Sequence, residues 1–248
     1  MDLKKEGLEK LYLGKTKDVY RYGEGTVLLH SKDAVTGWKI KNADGSTSIV
    51  EDPGANEVIG EIEGLGLKNI KSSVYYFELF KKAGIPTHYI DSDLDEKTML
   101  VHEAKPLGYG LECIVRFKAM GSILRAYPDY LKENQELQDF FEITTKNDAA
   151  GDPRISKEFL NSPDFGTPMT EAQYEECKDL CLKAARLMQA DLADIGLTLI
   201  DLKFEIGLVD GAIVIIDEIS AGIMRAFIGD KKLSEEELAD ILVTRTCP

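Results

Sequence analysis

The densest chemistry in this 248-residue chain lies in Asp201-Leu202-Lys203-Phe204-Glu205 and, further on, in Asp217-Glu218. In an extended strand Asp201, Lys203 and Glu205 share one face, while Leu202 and Phe204 turn to the other. Asp210-Gly211 stands between two apolar runs and signals a tight hairpin, which would bring Asp217 back towards Glu205. Two carboxylates at adjacent strand ends suit Mg²⁺, an ion that takes a few carboxylates together with phosphate oxygens. Lys203 between them suits a phosphate or a carboxylate. The same pattern also describes a solvated strand face with cross-strand ion pairs, and the residues alone leave both readings open.

Three further groups are polar in a suggestive way. Gly14-Lys15-Thr16-Lys17 places two lysines on a glycine-started turn that could hold polyphosphate by charge. It is not the GxxxxGK[ST] loop, and a solvated lysine pair is the simpler reading. Arg116 ends a strand shortly before Gly121-Ser122 opens a short helix, which makes an anion site at a helix start or, more simply, a plain N-cap. Lys146-Asn147-Asp148 and Gly151-Asp152-Pro153 read by themselves as a polar loop. No Ser-His-Asp or Cys-His nucleophile is evident. Of the cysteines, Cys113, Cys177, Cys181 and Cys247, none forms a CxxC pair. Cys177 and Cys181 share a helix face, and with no His or Cys neighbour in the sequence they read as small buried apolar residues rather than metal ligands.

The elements that must position these groups follow from periodicity. Leu11–Leu13, Asp18–Tyr22 and Thr26–His30 are short strands, the last two joined at Gly23-Glu24-Gly25. The stretch from Asn42 to about Gly66 reads as irregular, with turns at Asp44-Gly45 and Asp52-Pro53-Gly54. A helix is expected from near Asn69 to Ala83, with Ile70, Val74, Phe77 and Phe80 as its stripe and Gly84 as its stop. Thr98–His102 and Glu112–Phe117 are strands. Thr170 and Gln173 form a capping box for a helix that continues through Tyr174, Cys177, Cys181, Ala184, Met188 and Leu192 to Gly196. Runs at Leu197–Phe204 and Ala212–Ile216 follow, and Ser234 with Glu237 caps a last helix. The class is α+β: an N-terminal antiparallel sheet followed by a larger mixed part.

Composition sets the outer bounds. Thirty basic and 44 acidic residues give a net charge of −14, which argues against a general nucleic-acid binder but not against a small anionic ligand in a local basic pocket. No run approaches the ~18 apolar residues of a membrane helix. Met1–Glu6 lacks an apolar secretory core. The expectation is a reduced, cytoplasmic protein with no nucleic-acid or membrane partner.

Taken in order, these segments resemble the SAICAR synthetase (phosphoribosylaminoimidazole-succinocarboxamide synthase) family. Gly14–Tyr20 resembles its GK(T/A)K-x-(V/I)-Y opening, and Gly84-Ile85-Pro86-Thr87-His88 its G-I-P-T-H segment. Glu112–Arg116 with Gly121-Ser122 resembles E-x-x-x-R…G-S. Lys146–Asp148 with Asp152-Pro153 resembles K-(N/D)-D…D-P. Asp201–Gly207 resembles D-x-K-x-E-x-G, and Asp217–Ser220 resembles D-E-I-S. The motifs are weak singly and specific in this order, over nearly the whole chain.

The resemblance implies an ATP-dependent ligase of purine synthesis that joins L-aspartate to the carboxylate of carboxyaminoimidazole ribotide, releasing ADP and phosphate. It implies two lobes, 1–105 with the phosphate loop and 106–248 with metal and substrate sites, and ATP in the cleft. Lys15 and Lys17, with Val101, would contact ATP. Glu205 and Asp217 would hold Mg²⁺, with Asp152 helping at the substrate carboxylate. Arg116, Ser122, Lys146, Lys203 and Arg225 would contact the ribotide, and Lys203, Asp217, Asp152 and Arg225 would carry the catalytic roles. A homo-oligomer is expected. A same-fold ligase or small-molecule kinase with another acceptor, and a non-catalytic nucleotide-binding regulator, are the alternatives.

The chain departs from the family pattern in two places. After Ser31-Lys32-Asp33 a short Ser/Thr-Ala-Gly loop is replaced by Ala34–Lys39 and a stretch, 39–63, that reads as an insertion; Glu57, Glu61 and Glu63 are open as substitutes for a family acid. After Asp217–Ser220 the family's P-D-x-x-R-(L/F)-W becomes Ala221–Phe227, with Gly222 in place of the acid and no Trp. His102 stands where a lysine near the adenine is common.

Overall fold

The structure, a computed structural model, describes residues 3–42, 44–51, 57–108, 110–147, 150–165 and 169–245. Asp52-Pro53-Gly54, Asp148 and Cys247 from the sequence reading lie outside these residues. The chain forms two compact units: 1–104 with 218–223 and 234–248, and 105–217 with 224–233.

The first unit begins with β1 (Lys10–Leu13), β2 (Lys17–Gly23) and β3 (Thr26–Ser31). Next come β4 (Ala34–Lys41), β5 (Thr47–Glu51), β6 (Glu57–Glu61), α1 (Leu65–Lys82), β7 (Tyr89–Asp93) and β8 (Thr98–His102). One antiparallel sheet runs β1-β2-β3-β8-β7. Leu3, Tyr20, Leu28 and Leu100 pack together on it.

The stretch expected to be irregular is a second antiparallel sheet, β5-β4-β6. Thr47–Glu51 and Glu57–Glu61 are too short and too polar for a clear alternation of period two, and the long β4 organises both as its partners. The Asp44-Gly45 turn is present: the Asn42 amide donates to the Ser46 carbonyl at 2.9 Å, and the Asp44 carboxylate accepts the Ser46 amide at 2.9 Å.

Helix α1 starts four residues before the expected Asn69, because its cap is not local. The Asp33 carboxylate accepts the Gly64 and Gly66 amides at 3.2 and 2.8 Å, satisfying donors that a helix start leaves open. Burial pushes the Asp33 carboxyl up, but the Gly66 and Gly64 amides outweigh it and hold it below its ordinary value. A side chain at Gly66 would meet the Lys32 carbonyl at 2.8 Å, so only glycine lets α1 come this close. The apolar stripe buries Ile70, Phe77 and Phe80, each worth ~1.5–3 kcal/mol relative to exposure.

The second unit holds β9 (Lys105–Pro106), β10 (Leu111–Lys118), α2 (Ser122–Ala126), β11 (Glu136–Thr145), β12 (Arg154–Ile155) and α3 (Lys157–Leu160). It continues with α4 (Glu171–Ala193), β13 (Leu197–Val209), β14 (Ala212–Ile216), β15 (Met224–Ile228) and β16 (Lys231–Lys232). Its antiparallel sheet runs β12-β11-β10-β13-β15-β16, with β14 and β9 also paired to the 13-residue β13. The Thr170–Gln173 capping box starts α4. Asp210 and Gly211, at φ +50° and +85°, make the tight turn between β13 and β14. Helix α4 buries Cys177, Leu180, Cys181, Ala184, Ala185, Met188 and Leu192. The chain then returns to the first unit as α5 (Glu235–Leu242), capped by the Ser234–Glu237 box. Among the described residues no helix is long and apolar enough to cross a membrane.

Candidate active site

Register places the polar residues of the second unit. Strand β10 lies beside β13 with Glu112 opposite Glu205, Ile114 opposite Lys203 and Arg116 opposite Asp201. On the other flank of β13, Asp201 is opposite Arg225 of β15. Beyond β10, Thr144 of β11 is opposite Glu112.

Two clusters form on this surface. In the first, Lys203 Nζ donates to Glu112 Oε1 at 2.6 Å, and Thr144 Oγ1 donates to Glu112 Oε2 at 3.1 Å. Lys146 Nζ donates to both Glu205 oxygens at 2.7 Å. Burial pushes Lys203 down, but Glu112 and Glu205 outweigh it and keep its pKa above normal; Lys146 is raised in the same way, by Glu205 and then Asp217. Glu205 is pushed up by burial and then by the neighbouring Asp217 carboxylate, against the pull of Lys146 and Lys203. Asp217 itself directly follows β14, at φ +70°, a left-handed conformation uncommon outside glycine. A pair of crowded, partly buried carboxylates is a fitting place for a divalent cation, since the ion removes the repulsion that raises Glu205.

The second cluster centres on Arg116, which is 2% exposed. Its Nε and Nη2 donate to Glu142 Oε1 at 2.8 and 2.7 Å, and its Nη1 donates to Asp201 Oδ2 at 2.6 Å and to the Met120 carbonyl at 3.1 Å. A further Nη2 bond reaches Ser122 Oγ at 2.9 Å. These five bonds occupy all five N–H groups of a guanidinium. Asp201 Oδ2 also accepts Arg225 Nη1 at 2.7 Å, and Arg154 donates to Glu142. The Arg225 guanidinium lies over Gly121, where an added Cβ would stand 2.7 Å from its Nη2. Ser122 is therefore no N-cap: Gly121 holds that position, and the Ser122 hydroxyl accepts from Arg116. Asp152, at φ +49°, closes its own loop by accepting the Asn147 amide at 2.7 Å.

In the first unit, Lys17 is no solvated lysine. It is 8% exposed, and its Nζ donates to Glu218 at 2.5 Å. Lys15 is exposed. Gly14 closes the turn through its amide to the Lys17 carbonyl at 2.8 Å, so close that an added Cβ would stand 2.4 Å from that oxygen. Val101 is buried in mid-sheet between β3 and β7, and His102 is exposed. Glu57, Glu61 and Glu63 are exposed. At Gly222, the space a side chain would fill is taken by Glu235, whose Oε1 lies 2.8 Å from the Cβ position and accepts Asn69 Nδ2 at 3.3 Å.

Sequence reasoning gave Glu112 no role beyond its motif and missed Glu142 and Arg154. Glu142 and Thr144 alternate along β11, so identifying that strand would have put both on the polar face.

The SAICAR synthetase family model matches residues 54–240. The phosphoribosylaminoimidazole-succinocarboxamide synthase of Clostridium tetani is 40% identical over 235 residues, 94% of this chain and 98% of that protein. The chain belongs to the SAICAR synthetase family. The Persephonella marina member of this family is 31% identical, over 93% of this chain and 87% of its own length. Among solved structures, a SAICAR synthetase (Type-2) in complex with ADP superposes with a TM-score of 0.75 at 27% identity, covering 92% of this chain and 88% of that one. The Pyrococcus horikoshii SAICAR synthetase shares the fold, with a TM-score of 0.76 at 24% identity, covering 94% and 99%.

Proposed function

We propose that this chain is an ATP-dependent carbon–nitrogen ligase that condenses carboxyaminoimidazole ribotide with L-aspartate to give SAICAR, ADP and phosphate. The observation that carries this reading is the row Lys203, Glu205 and Asp217, with Lys146, on a chain of the SAICAR synthetase family.

A carboxylate is a poor electrophile, so it is first phosphorylated: its oxygen attacks the γ-phosphorus of ATP and ADP leaves. The aspartate amine then attacks the acyl phosphate carbon, phosphate leaves, and the amine proton is lost to solvent. The protein has to orient anions and balance their charge. Lys15 and Lys17 contact the nucleotide phosphates, with Val101 beside the nucleotide. Glu205 and Asp217 hold Mg²⁺, with Asp152 as a further ligand near the substrate carboxylate; bound there, the ion supplies charge neutralisation for phosphoryl transfer. Lys146, Lys203 and Arg225 contact the ribotide together with Ser122; Arg116, which the family resemblance also assigns to the ribotide, has its N–H groups engaged by Glu142, Asp201, Met120 and Ser122, and we assign it the role of holding Ser122 and Asp201. The 1–105 segment is the nucleotide-binding part and 106–248 the metal- and substrate-binding part. A homo-oligomer in the cytoplasm is the proposed working form.

Purified chain with ATP, Mg²⁺, the ribotide and L-aspartate should release ADP only when both co-substrates are present. ADP release with a different acceptor alone would identify a same-fold ligase or kinase, and ATP binding without turnover on any acceptor would identify a regulator. Asp217→Asn should remove turnover and leave the circular dichroism spectrum unchanged.

A further inference from the structure

The sequence places Cys113 far from Cys177 and Cys181, but the fold brings all three together. Strand β10 packs against α4, and Cys113 Sγ lies 3.4 Å from Cys177 Sγ. The three sulfurs lie within 4.8 Å of one another, and all three residues are fully buried. Cys113 sits next to Glu112 on β10 and opposite Phe204 on β13. Successive residues of a strand face opposite ways, so the thiols occupy the far side of the sheet from Glu112, Lys203 and Glu205. They take no part in the proposed reaction.

We propose that Cys113, Cys177 and Cys181 form a three-sulfur site for a soft monovalent metal ion, Cu⁺. Sulfur donors select copper(I), zinc or iron–sulfur clusters over hard ions. Structural zinc takes four ligands, whereas the described residues supply a group of three with no His, Asp or Glu in it. A three-coordinate d¹⁰ ion meets that donor set. With metal–sulfur bonds of about 2.3 Å, sulfurs around one ion stand about 4 Å apart, so the 3.4 Å Cys113–Cys177 pair has to open slightly while a separation as wide as 4.8 Å closes by less than about 1 Å. Thiolate ligands bring negative charge into an apolar core, and a metal ion bound to them supplies the counter-charge. On binding, the Cys177 sulfur lone pair forms the metal bond. Any thiol that converts to thiolate releases its proton to solvent.

The test uses the full chain carrying Cys247→Ser, purified and kept anaerobic under a reductant. Cu⁺ is presented as its complex with a coloured competing chelator, with long incubation because the site is buried. The expected result is uptake of one Cu⁺ per chain, near-ultraviolet thiolate-to-copper absorption and three sulfur neighbours by X-ray absorption. Cys177→Ser should lower the affinity at least tenfold. Asp217→Asn should bind as the parent does, which separates the site from the carboxylate pair. A copper environment of nitrogen and oxygen, or of fewer than three sulfurs, would overturn the proposal without recourse to any variant. So would unchanged uptake in Cys177→Ser, or one equivalent of Zn²⁺ excluding Cu⁺.

Discussion

Replacing Arg116 by lysine keeps the charge and removes the planar fork. The guanidinium makes five bonds to four groups: Glu142, Asp201, the Met120 carbonyl and the Ser122 hydroxyl. An ammonium has three N–H donors, so at least two bonds are lost. The carboxylates remain paired, Glu142 with Arg154 and Asp201 with Arg225. The full 3–5 kcal/mol of a broken buried ion pair therefore does not apply. The loss falls on the carbonyl and the hydroxyl, and a buried group left unsatisfied costs about 1–3 kcal/mol. Ser122 is only partly buried and can turn to water, which puts the total at about 2–3 kcal/mol. Equilibrium urea unfolding followed by far-ultraviolet circular dichroism reads this directly as a lower midpoint at unchanged slope. Steady-state kinetics on the same protein should show a raised KM for the ribotide, because Ser122 and Asp201 lose their common anchor. If Arg116→Lys unfolds within ~0.5 kcal/mol of the parent, the size of an ordinary surface change, while KM alone rises, then the guanidinium faces the ligand and the anchoring account is wrong.

Glu205 has its pKa raised by burial and by Asp217, so the folded state holds its proton more tightly than the unfolded chain. Its contribution to stability is fully present below the unfolded value and is lost as pH rises through the folded one. Urea midpoints from pH 4 to 8 should therefore fall away for the parent relative to Glu205→Gln, while that variant loses at least ~100-fold in turnover; parallel midpoint curves would reject the shift. Lys17→Met leaves Glu218 buried without its 2.5 Å partner and should cost about 3 kcal/mol, in addition to weakening ATP binding measured by calorimetry. Restoring an acid with Gly222→Asp drives a carboxylate against Glu235 and should destabilise by about 2–4 kcal/mol. Glu235→Gln in the same chain should recover about half of that, and strict additivity in the double-mutant cycle would show that the two positions do not meet.

What the sequence showed clearly was local. Both capping boxes, the Asp210-Gly211 hairpin and the α4 stripe are set by residues within a few positions of one another, and the structure contains each of them. The elements it hid depend on distant partners. Helix α1 is capped by Asp33, far back in the chain, so a search for a cap beside the apolar stripe placed its start too late. Strands β5 and β6 exist because β4 lies between them, and β11 hides its polar face in residues that look like surface until Glu142 is seen under Arg116. The three cysteines follow the same rule. Spacing paired Cys177 with Cys181 on one helix turn, but only the packing of β10 against α4 could supply Cys113.

The acidity of the chain takes its meaning from these pairs. Among the described residues, the paired surface formed by the two clusters holds five cations, Lys146, Lys203, Arg116, Arg154 and Arg225, and five carboxylates, Glu112, Glu142, Asp201, Glu205 and Asp217. It is close to neutral as it stands, so on the proposed reading an anionic substrate gains little from bare attraction. Binding has to be an exchange of partners. Lys146 is the group placed to make it, because its partner Glu205 is one of the two carboxylates proposed to take Mg²⁺, and it is half exposed where Lys203 is not. A metal on Glu205 and Asp217 would relieve their repulsion and release the Lys146 ammonium to a substrate oxygen in the same step. The Arg116 cluster behaves oppositely, since its five bonds are internal and nothing in the exchange calls on them. On the proposed reading, the lysine cluster is therefore the part of the surface that changes partners during turnover, and Arg116 is the frame that keeps Ser122 and Asp201 in place while it does.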